Sequence, residues 1–137
     1  MKPSEEVRLE FLRQWMGKAD EDLGVAHHLL TTDAPFPGAV GFHAQQATEK
    51  YLKAFLVWMQ ADFPKTHDIE SLLRIVAKHN PELAHSLRDT VALTDYGVEM
   101  RYPGNLPELT PQQVTAAVDL ADRARAEVSA TLKDLLT

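Results

Sequence analysis

Apolar residues recur along the chain at helical intervals. Val7, Phe11, Trp15, Ala19, Leu23, Ala26 and Leu30 follow one another at steps of three or four, which marks one face of an α-helix. The turn formers and prolines of Asp33-Ala34-Pro35-Phe36-Pro37-Gly38 predict its end near Thr31. A second helix is expected after Pro37, striped by Val40, Ala44, Ala47, Tyr51, Ala54 and Trp58, and running to about Ala61. Asp68 is the expected N-cap of a short, lid-like third helix, because its carboxylate can accept from a first-turn amide. Ile69, Leu72, Leu73 and Val76 form the apolar face of that helix. Asn80-Pro81 closes it and opens a fourth, predicted to reach about Val98, with Leu83, Leu87 and Val91 on one side and Tyr96 near its far end. After a loop over Arg101-Tyr102-Pro103-Gly104-Asn105-Leu106-Pro107, the run Thr110-Pro111-Gln112-Gln113 has the form of a capping box. Val114, Ala117, Ala121, Ala124, Val128 and Leu132 mark the last helix.

No stretch alternates as a strand does, and no repeat or low-complexity tract interrupts the chain. The expected fold is therefore all-α, an up-and-down bundle of about five helices, four long and one short, in a single domain over residues 1–137. With no cysteine, disulfides, thiol nucleophiles and cysteine-held metals are excluded. No apolar run approaches the roughly 20 residues of a membrane span. The opening MKPSEEVRLEF carries acids where a secretion signal needs basic residues, so the expected location is the cytoplasm. Lys and Arg number 14 against 20 Asp and Glu, a net charge of −6. That balance disfavours broad binding to duplex nucleic acid but allows a small, locally basic pocket for one phosphate.

Three groups of residues could carry chemistry. His43, Gln46, Lys50 and Lys53 form a second row on the second helix, within a sector of roughly 80° beside the apolar stripe. The row reads either as a solvated flank whose lysine stems cover apolar surface or as a phosphate-binding rim. Arg101 and Tyr102 could grip a phosphate and stack a base, their loop stiffened by Pro103 and Gly104. Alternatively, Arg101 pairs with Glu99 or Glu108 while Tyr102 fills a gap in the core. His67 precedes a helix N-terminus, where the dipole favours neutral imidazole, and reads as a base, an acceptor or a plain turn residue. The histidines lack metal-ligand spacing and there is no glycine-rich phosphate loop, so neither a metal, a cofactor nor a self-contained NTPase is expected.

The segment Phe42-His43-Ala44-Gln45-Gln46-Ala47-Thr48-Glu49-Lys50-Tyr51-Leu52-Lys53-Ala54 resembles the signature helix of the HEPN domain (higher eukaryotes and prokaryotes nucleotide-binding). Thr66-His67-Asp68-Ile69 and the later Tyr96, Arg101-Tyr102-Pro103 resemble that family's further landmarks, in the same order. The resemblance implies a helical bundle that pairs into homodimers and is often encoded beside a minimal nucleotidyltransferase, in some cases as a toxin–antitoxin module. Many such domains are metal-independent ribonucleases, using an Arg followed four to six residues later by a His. Here no histidine follows Arg101 anywhere in the chain. Arg74 and His79 have that spacing but lie upstream of the usual place, about 140° out of alignment on a helix.

The expectation is a nucleotide- or RNA-binding module without cleavage activity, working with a separately encoded nucleotidyltransferase. Lys50, Lys53 and Arg101 would hold phosphate, Tyr102 and Tyr96 would stack a base, and His43, Gln46 and His67 would orient the ligand. Two alternatives remain open at this point. One is a metal-independent RNase pairing Arg101 with His67 or His43. The other is a structural dimer partner in which Lys50, Glu49 and Arg101 form buried ion pairs.

Overall fold

The computed structural model describes residues 4–32, 36–96 and 109–136. Helix α1 spans Glu5–Leu30, capped by Ser4, whose hydroxyl accepts from the Val7 amide at 3.2 Å. Glu5 and Glu6 in its first turn complement the positive end of the helix dipole. Its end at Thr31 is where the turn formers predict it. Its buried face differs from the expected one. Leu12, Met16, Ala19, Leu23 and Ala26 are inside, whereas Val7 and Phe11 are 43% and 45% exposed. A row stepping by four rotates about 40° at each step, so Val7 and Phe11 lie about 120° and 80° round the helix from Ala19, while Trp15, about 40° away, still packs against the core. Alternating steps of four and three keep Leu12 to Ala26 facing the core.

Helix α2 (Pro37–Trp58) is central, packing most extensively on α1 and next on α5 (Pro111–Thr131). Ala44, Ala47 and Ala54 of α2, with Ala19 of α1 and Ala117, Ala121 and Ala124 of α5, are all buried and let the backbones approach closely. The helix stops earlier than the expected Ala61. Gln60 adopts a left-handed φ of 55°, its amide donates to Val57 O at 3.1 Å, and the Ala61 amide donates to Leu56 O at 3.0 Å. This is a Schellman turn with glutamine where glycine or asparagine is usual, so composition does not signal it. Arg8 of α1 reinforces the end, donating to Trp58 O while its guanidinium lies 4.3 Å from the Trp58 ring centroid. Gln60→Gly is expected to raise stability by about 0.5–1 kcal/mol by relieving the left-handed backbone, measured as a higher urea midpoint at unchanged slope.

Helix α3 (Ile69–His79) is not a lid. Ile69, Leu72, Leu73 and Val76 all enter the main core. Asp68 caps it as predicted, accepting from the Glu70 amide at 3.1 Å and the Ser71 hydroxyl at 2.7 Å. The expected long fourth helix is two elements: α4 (Pro81–Ser86), capped by Asn80, and a 3₁₀ helix over Arg88–Tyr96. Leu87, Thr90, Leu93 and Tyr96 recur every third residue, which is the 3₁₀ repeat. Thr90 donates back to Leu87 O at 2.6 Å, in competition with the regular α-helical ladder, while Thr94 accepts the Ile69 amide at 3.2 Å and ties this element to the start of α3.

The Thr110–Gln113 capping box forms in both directions, at 3.1 and 2.9 Å, and α6 (Lys133–Leu136) closes the chain. A second apolar cluster, Ala26, Val40, Leu109, Val114 and Val118, joins the C-terminal end of α1 to the first turns of α2 and α5. At Gly41 a Cβ would lie 2.7 Å from Leu109 Cδ1 and 3.4 Å from Tyr96 Cβ, so those residues seat directly on the α2 backbone. The architecture is an all-α bundle, with no strand among the described residues. No helix among them is long and apolar enough to cross a membrane.

Candidate functional site

The polar row of α2 meets carboxylates at both ends. Near its start, His43 Nδ1 lies 2.9 Å from Asp22 Oδ1, and the Lys50 ammonium donates to Asp22 Oδ2. One α1 carboxylate, only 14% exposed, thus joins two side chains seven residues apart on α2. Near the far end, buried Glu49 takes two partners on the same oxygen. Lys53 Nζ is 3.4 Å from Oε1 and also donates to Thr66 O at 3.3 Å, while His67 Nδ1 is 3.1 Å from Oε1. Gln46 lies between, donating to Gln45 Oε1 at 3.0 Å. Glu49 Oε2 and Gln45 Nε2 are buried without a hydrogen-bond partner among the described residues.

The row is therefore neither a solvated flank nor a bare cluster of cations. Its ammonium groups are held, and each is locally balanced by a carboxylate. Periodicity on α2 predicts the row but not its partners. Glu49 carries a weak signal, four residues before Lys53 on one helix. Asp22 carries none, because its pairing depends on how α1 slides against α2.

A neighbouring polar knot ties three helices together. The Tyr51 hydroxyl donates to Asp20 Oδ1 at 2.6 Å, and Arg125 Nε donates to the same oxygen at 3.0 Å. Burial, then the Asp20 carboxylate, pushes the Tyr51 phenol far above its ordinary range, and the bond to Asp20 also raises Arg125. His27 Nε2 meets Asp122 at 2.6 Å on the same side.

Not all the expected residues share one face. Tyr96 is half-buried at Gly41 and packs on both apolar clusters. Gly41 lies about 120–200° round α2 from His43, Gln46, Lys50 and Lys53, so Tyr96 is on the opposite side of the helix from the row. Arg101 and Tyr102 lie outside the described residues. Among the described residues no group of three or more His, Asp or Glu side chains is arranged to hold a metal ion. Beside Lys50, an open groove of about 650 Å³ is lined by Phe11, Gln14, Trp15, Gly17, Lys18 and Glu21 of α1. Periodicity does not reveal it, because it assigns Phe11 to the core, where the ring is exposed; Trp15, half-buried, packs against the core and lines the groove as well.

A central helix carrying Phe42 to Ala54, followed by the capped Thr66-His67-Asp68 turn, agrees with a match to the HEPN domain family model over residues 12–130. The chain belongs to the HEPN domain family. No curated protein and no solved structure matches it. A HEPN domain is, in general terms, a nucleotide- or RNA-binding module. The matched span runs from α1 into α5 and contains both carboxylates, Asp22 and Glu49, that hold the α2 row.

Proposed function

We propose that this HEPN domain, acting as one unit over residues 1–137, is a nucleotide- or RNA-contacting module that does not cleave. In this reading it is a cytoplasmic homodimer working with a separately encoded minimal nucleotidyltransferase, in a toxin–antitoxin-like or nucleotidyl-transfer accessory role. Lys50 and Lys53 hold phosphate together with Arg101, Tyr102 stacks a base, and His43, Gln46 and His67 orient the ligand. Tyr96, on the far side of α2, is left out of the pocket.

The observation that carries this reading is the convergence of His43 and Lys50 on Asp22. An ammonium has three donors, and the pairing fixes Lys50 while leaving donors for an arriving phosphate. The absence of any histidine after Arg101 supports binding without cleavage.

One observation favours a second reading, a metal-independent RNase. Buried Glu49 engages Nδ1 of His67, whose side chain is 72% exposed. A carboxylate on Nδ1 orients an imidazole for proton transfer through Nε2.

Titration with labelled single-stranded RNA at two salt concentrations tests the first reading. Lys50→Ala is expected to weaken binding several-fold and to lower the log–log salt slope by about 0.7. Asp22→Asn, which removes the competing charge, is expected to strengthen binding. Equal affinity in wild type and both variants rejects the pocket. A lowered melting temperature in Lys50→Ala, with no RNA bound by wild type, leaves only the structural reading. Cleavage of total RNA in chelator by wild type, lost in His67→Ala, selects the RNase.

A further inference from the structure

We infer that the groove between α1 and Lys50 is a stacking site for an unpaired base of single-stranded RNA. The inference rests on the RNA-contacting reading and places the base on α1, on residues that reading does not use.

Phe11 and Trp15 stand one turn apart and form the aromatic side of the groove; Phe11 is exposed and Trp15 half-buried. Leu12 and Met16 already fill the core beneath this part of α1, so the fold does not require the exposed Phe11 ring. Gly17 leaves the wall bare, and a Cβ built there would meet no atom within 4 Å. At about 650 Å³ the groove has room for a base and its sugar.

Charge chooses the occupant. The lining carries Lys18 and Lys50 against Glu21, and with Asp22, which pairs with Lys50, the local balance is 2 − 2 = 0 on a chain whose net charge is −6, leaving Lys18 as the cation that favours an anionic strand. Lys18 makes no ion pair among the described residues, and Lys50 is held in position by Asp22. Two ammonium groups beside an aromatic floor suit a phosphate on either side of a stacked base. Gln14 and Glu21 supply an amide and an acceptor carboxylate, which suit a base edge or a ribose 2′-hydroxyl.

The chain has two tryptophans, so Trp58→Phe leaves Trp15 as the sole reporter. In that background a ten-nucleotide oligoadenylate is expected to quench Trp15 fluorescence saturably, and more tightly than the DNA strand or free AMP. Followed by anisotropy of the labelled strand, Phe11→Ser is expected to weaken binding roughly 5- to 150-fold, the range for loss of one base–aromatic stack, with melting temperature unchanged. Lys18→Gln is expected to lower the salt slope by about 0.7.

Binding of the strand with Trp15 unquenched and Phe11→Ser unaffected overturns the groove while leaving RNA contact elsewhere intact. No binding by wild type overturns both. AMP binding as tightly as the strand assigns the groove to a mononucleotide and overturns the strand. Self-association that Phe11→Ser abolishes without changing RNA affinity assigns the groove to a second copy of the chain and also overturns it.

Discussion

Asp20→Ala is expected to destabilise the bundle by about 2 kcal/mol, and Tyr51→Phe by about 1 kcal/mol or less, although the two changes break the same hydrogen bond. Tyr51 is fully buried, and its hydroxyl donates to Asp20 at 2.6 Å. Removing the carboxylate leaves a buried phenol without its acceptor, whereas removing the hydroxyl leaves an exposed carboxylate that keeps Arg125. The Arg125 pair is half-exposed on both sides and adds little by itself. The double variant should therefore be more stable than the sum of the two losses, which urea unfolding in a double-mutant cycle measures. The same bond predicts a response to alkali. The Tyr51 phenol is held far above its ordinary pKa by burial and by Asp20, so the folded state keeps a proton that the unfolded chain releases near pH 10. Its contribution is fully present below pH 10 and falls above it, by up to about 1.4 kcal/mol per pH unit. Wild type should lose more stability than Tyr51→Phe between pH 9 and pH 11. Parallel losses in the two proteins would show that the phenol titrates normally.

The caps and the apolar repeats made much of the fold legible. Asp68 and the Thr110–Gln113 box are local chemistry, set by residues two or three positions apart, and both form as the pattern predicts. The misread elements depend on choices that composition leaves open. Gln60 takes a left-handed turn without being glycine, because the Schellman bonds and Arg8 on Trp58 secure the end of α2 around it. Leu87, Thr90, Leu93 and Tyr96 satisfy a repeat of three, but the neighbouring Leu83, Leu87 and Val91 satisfy a repeat of four, and only packing decides between them.

The site divides along the same line. Positions on the α2 row follow from periodicity within one helix, whereas Asp22 and the α1 groove depend on the rotation and slide of one helix against another. The residues that turn a row of cations into a balanced, fixed array are therefore the ones a single sequence shows least.

That rotation has its own test in two adjacent residues. Leu12→Ala is expected to cost about 2–5 kcal/mol, the range for deleting a buried leucine side chain, because Leu12 is fully enclosed in the main core. Phe11→Ala, which removes more apolar surface, is expected to change stability by no more than about 0.5 kcal/mol, because that ring already faces water. Hydrophobicity alone orders the two changes the other way, since phenylalanine is the larger residue. Melting curves for the pair therefore report which face of α1 is inside. A large loss for Phe11→Ala with little for Leu12→Ala would turn α1 by about 100°. It would seat Phe11 in the core, remove the aromatic side of the groove, and draw Asp22 away from His43 and Lys50. The stability of one leucine variant thus bears on the fold, the α2 row and the RNA site together, because all three depend on the same helix rotation.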